Sequence, residues 1–91
     1  MPSTMDLIKW RDKWVRLNPS LRNGLITDTI AWLESDERPK CKPDHLSFLI
    51  QFETELQNLL NQPRLSEQWF ITAGQTYGNF PFFAAFIRRI L

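Results

Sequence analysis

Apolar residues recur at helical spacing through most of the chain, and the longest such run covers residues 44–61. There Leu49, Phe52, Leu56 and Leu59 are spaced three and four apart, while Leu46, Phe48, Ile50 and Leu60 widen the stripe to about half of the circumference at about 100° per residue. Pro43 and Asp44 mark a start, because the Asp44 carboxylate suits the free amides and positive end of a first turn. Pro63 biases Gln62 out of helical dihedrals and marks a stop. The remaining face, Ser47, Gln51, Thr54, Asn58 and Asn61, is polar without charge, which suits either solvent or one side of a polar protein contact.

Other segments carry the same period. Residues 4–17 repeat Leu7, Trp10, Trp14 and Leu17, with Ser3 and Asp6 at capping-box spacing and Pro19 beyond the end. Asn18 and Pro19 open a second helical stretch, but Asn23-Gly24 is a turn signal, so a short turn is expected there and a helix over 25–34. Residues 35–43, SDERPKCKP, read as an exposed loop. Residues 66–78 are ambiguous: Ser66 can cap a helix whose inner side is Trp69, Phe70, Ala73 and Tyr77, yet Trp69, Phe70, Ile71 and Thr72 are also strand formers. With no second strand to pair with, the helix is preferred.

In the last helix, over residues 80–91, Pro81 falls in the first turn, where its missing amide costs least. Phe80, Phe83, Ile87, Ile90 and Leu91 share a face, while Phe82 and Phe86 point about 200° to 240° away from Phe80, near Arg89. The expected fold is an all-α, single-domain bundle of four to five helices over residues 1–91, alone or within a longer protein. Its central helix, 44–61, is expected to pack on the first, second and last helices.

Two charges fall inside apolar sectors: Arg11 between Leu7 and Val15, and Glu53 between Leu60 and Leu46. Arg11 and Glu53 are therefore expected to meet, or each to find another opposite charge, in a partly buried ion pair. The net charge of +1 gives no general attraction to nucleic acid or anionic membranes. Lys9, Lys13, Arg16 and Arg22 do supply a basic face near the first helix, and a small nucleic-acid-binding domain using that face is the alternative function. Against a helix-turn-helix, residues 25–34 carry Asp28 and Glu34 but no lysine or arginine to meet phosphate or guanine.

Four tryptophans, seven phenylalanines and one tyrosine are many for 91 residues, and some are not expected to fit inside. Exposed aromatics beside an arginine have the composition of a binding hot spot, so Phe82, Phe86 and Arg89 are expected to contact a protein partner or a second copy, the alternative being that Trp69 to Tyr77 fold over this side and bury it. The function expected is thus a non-enzymatic protein-interaction module, an adaptor or oligomerisation domain. No phosphate-cradling glycine loop, nucleophile elbow or serine–histidine arrangement suggests catalysis, and no small-molecule substrate is evident.

Cys41 and His45, the only thiol and imidazole, are too few for a zinc site, and neither metal nor cofactor is expected. A single cysteine excludes a disulfide framework, no charged leader with an apolar core is evident, and no apolar run nears the roughly 20 residues that span a bilayer. A cytoplasmic location is expected.

Overall fold

Ser3 begins the first helix, α1 (Thr4–Arg16), through the expected reciprocal cap: its Oγ accepts from the Asp6 amide at 3.1 Å, and its own amide donates to the Asp6 carboxylate at 3.4 Å. The computed structural model describes residues 3–36 and 42–91, and the described residues form an all-α bundle. After α1 come α2 (Pro19–Glu34), α3 (Pro43–Asn61), a 3-10 turn (Pro63–Leu65), α4 (Ser66–Tyr77) and α5 (Pro81–Ile90). Prolines at the first positions of α2, α3 and α5 mark three of these starts. Asp44 lies inside the first turn of α3 instead of capping it; Lys42 precedes the helix and contributes no side-chain cap. The ambiguous residues 66–77 are helical, and most of the loop expected over 35–43, including Cys41, lies outside the described residues.

The turn expected at Asn23-Gly24 is absent. Helix α2 passes straight through it, with Gly24 at negative φ, because Asn18 accepts from the Leu21 amide at 2.8 Å and Ile26, Thr29 and Leu33 are buried beyond it. Burial of that face outweighs the roughly 1 kcal/mol that glycine costs within a helix. A methyl group on Gly24 would meet nothing within 4 Å. Gly24→Ala is therefore expected to stabilise the protein by about 0.5–1 kcal/mol, read as a higher urea midpoint at unchanged slope. A lower midpoint would mean that the position needs glycine after all.

Helix α3 packs on α2 and α4 and reaches α5 through aromatic side chains, with Phe52 at the centre. The Phe52 ring lies 5.1–6.1 Å, centroid to centroid, from Trp69, Tyr77, Phe82, Phe83 and Phe86. Helix α1 packs chiefly on α4 and α5 and does not lie on α3 as expected. Its buried residues Leu7 and Trp14 meet Gly74 on one side and Phe70 and Phe86 on the other. The aromatic residues thus go largely inside. Trp14, Phe52, Phe70, Tyr77, Phe82, Phe83 and Phe86 are all buried, and of the described aromatics only Phe48 is exposed.

Candidate interaction surface

The outward side of α3 is distinguished by what it lacks. From Leu46 to Asn61 every exposed residue of this helix is uncharged: Leu46, Ser47, Phe48, Ile50, Gln51, Thr54, Gln57, Asn58 and Asn61. Leu46 and Ile50, one turn apart, are 40% and 54% exposed. The adjacent helix continues the pattern, because beyond Glu67 the exposed residues of α4 are Gln68, Thr72, Gln75 and Thr76. In contrast, α1 exposes Asp6, Lys9, Lys13 and Arg16, and α5 exposes Arg88 and Arg89. Exposed charge is concentrated on the other sides of the bundle, and the exposed residues of α3 from Leu46 onward and of α4 beyond Glu67 are uncharged.

An open groove of about 370 Å³ runs between these two helices, bordered by Glu55, Asn58, Leu65, Gln68, Trp69 and Thr72. Glu55, half-buried, sits in it with both oxygens occupied by neutral donors: the Trp69 indole N–H donates to Oε1 at 2.9 Å, and the Tyr77 hydroxyl donates to Oε2. These bonds tie α3 to both ends of α4. Burial, the hydrogen bond to Glu55 and the negative charge of that carboxylate all push the Tyr77 phenol above its ordinary range, in that order of size, so it remains a donor at neutral pH.

Tyr77 is the only tyrosine, so its ionisation can be followed by absorbance alone. A raised folded pKa means that its contribution to stability is complete below about pH 10, where the unfolded phenol titrates, and is lost as pH rises further. Tyrosinate is expected to appear only above about pH 10 and together with loss of the helical dichroism. Ionisation near pH 10 in a protein that keeps its helices would contradict this.

The residues expected to form a hot spot are separated. Phe82 and Phe86 are 0% and 1% exposed, and only Arg89 is on the surface, its guanidinium 5.8 Å above the Trp32 ring. Phe82 and Phe86 do point away from the Phe80 direction, but α4 folds over that side: Tyr77 meets Phe82, while Trp69 and Phe70 meet Phe86. Of the two charges set in apolar sectors, Arg11 finds the adjacent acid Asp12, 3.4 Å away, and Glu53 is half-buried on α3.

The basic set is divided as well. Lys9, Lys13 and Arg16 border a cleft along α1 that also contains Asp6, Asp12, Met5 and Leu91, whereas half-buried Arg22 lies beside Pro19, Arg64 and Glu67. His45 stands edge-on to Phe80 at 4.9 Å. Among the described residues no three His, Cys, Asp or Glu side chains are grouped as metal ligands, and no helix is long and apolar enough to cross a membrane.

The neutrality of the α3 face is visible in the sequence, since residues 47–61 place only amides, hydroxyls and apolar groups on that side. The role of Glu55 is not, because its two donors lie 14 and 22 residues away on another helix. Comparison of the chain with protein-family models, with curated proteins and with solved structures finds no match.

Proposed function

We propose that this protein is a non-enzymatic interaction module that docks a protein partner on the face formed by α3 and α4. The observation that carries the reading is the outward side of α3, which exposes Leu46 and Ile50 among amides and hydroxyls and, from Leu46 onward, no charge. Protein contact surfaces are depleted of charge at their centres, since each charge must be stripped of water on docking. A purely solvated face gains nothing from such depletion. Aromatic residues contribute to this reading only at the margin, because most of them build the core.

Ile50→Glu tests it. The side chain is 54% exposed, so stability should change by no more than about 0.5 kcal/mol. Docking should nevertheless fail, because a charge is placed where water is to be excluded. Immobilised parent protein, Ile50→Glu and Lys9→Glu are compared for the proteins that they retain, with sedimentation equilibrium reporting self-association. A partner kept by Lys9→Glu and lost by Ile50→Glu docks on α3. The reverse pattern, with retention that falls steeply as salt is raised, would shift the site to the cations of α1 and to nucleic acid.

A further inference from the structure

We propose that the groove between α3 and α4 is a socket for an arginine side chain supplied by the docking partner. The assignment deepens the reading of the α3–α4 face as a docking surface. Its basis is Glu55, an anion whose hydrogen bonds come from an indole and a phenol, so that its charge is not neutralised by any cation among the described residues. The rest of the groove rim is neutral, and the exposed positions of α3 and α4 around it hold no lysine or arginine. In a molecule with eleven lysines and arginines, this carboxylate has been kept apart from the described ones.

The groove offers three features that a guanidinium matches together. Each Glu55 oxygen accepts one hydrogen bond and retains a second lone-pair site, so the carboxylate can still receive a planar two-pronged donor. Trp69 is half-buried and lines the groove as well as packing on Phe52, which places an aromatic surface beside the carboxylate, suited to a stacked cation. Asn58 and Gln68 also line the groove, and their side-chain amides supply oxygens able to accept from any remaining N–H groups. Arginine fits this set better than lysine, whose ammonium is a compact and strongly hydrated point charge. The protein already uses the arginine–indole pairing on its own surface, where Arg89 lies over Trp32.

The test uses the intact protein and N-acetyl-arginine methylamide, with the Trp69 indole N–H followed by NMR. That proton is expected to shift saturably, with a dissociation constant on the order of 10 mM, while the Trp10 and Trp14 indoles stay still. The citrulline counterpart, equal in shape but neutral, should bind at least about tenfold more weakly, and the lysine counterpart should also be weaker. Asn58→Lys keeps Glu55 and both of its donors but places a cation at the rim, and it should abolish the shift without altering the thermal midpoint. A Trp69 proton that does not move, or that responds equally to arginine and citrulline, overturns the socket; equal response to lysine overturns its assignment to arginine. The probe needs no partner, so a failed titration leaves the Ile50→Glu result standing, and a failed Ile50→Glu experiment leaves the titration standing.

Discussion

Phe82→Glu is expected to leave the chain unfolded at neutral pH, with no cooperative thermal transition. Phe82 is fully buried between Phe52 and Tyr77, with its ring stacked 5.2 Å from Phe80. Losing such a ring costs about 3–5 kcal/mol, and a carboxylate put in its place must be either charged without a partner or protonated at further cost. The sum is comparable with the whole stability of a domain this size, about 5–14 kcal/mol. Phe82→Leu, which keeps the site apolar, should cost only about 1–2 kcal/mol. Arg89→Ala, seven positions along on the same helix, should change stability by about 1 kcal/mol or less, since only an exposed contact with Trp32 is lost. Circular dichroism with thermal melting separates these outcomes. A Phe82→Glu protein that retains its helices and melts cooperatively would show that this side of α5 is not part of the core.

The second large effect is expected at Gly74. A Cβ there would stand 2.0 Å from Leu7 Cδ2, and Leu7 is itself 2% exposed, so its side chain has little room in which to retreat. Gly74→Ala should therefore destabilise by about 1–3 kcal/mol, although alanine is the better helix former by about 1 kcal/mol. Leu7→Ala alone should cost about 2–5 kcal/mol through the cavity that it leaves. The double variant should lose clearly less than the two single losses combined, because the new methyl enters the space vacated by leucine. Additive losses would place the two residues out of contact, and a Gly74→Ala protein as stable as Gly24→Ala would remove the close approach of α1 to α4.

These two glycines show how far the chain can be read without its fold. Both lie within helices, and nothing local tells them apart: one faces solvent and the other receives a neighbouring helix. The same applies to Phe82 and Phe86. Their direction from α5 follows from helical geometry, and Arg89 lies close to that direction, yet one side chain reaches the surface and two are enclosed. The difference arises from α4, whose position over α5 depends on contacts between residues far apart in sequence.

What the sequence determined by itself are the local matters: the helical period, the Ser3–Asp6 cap, the proline starts, and an α3 face bearing no charge. Each depends on residues a few positions apart, where backbone geometry alone sets the relation. Only the tertiary structure decided that α2 continues through Gly24, that α1 lies on α4 and α5, and that Glu55 joins Trp69 and Tyr77. Those outcomes compare the burial of whole helix faces against one another. A glycine's propensity or one charged residue's direction is a small term beside that burial and is overridden by it.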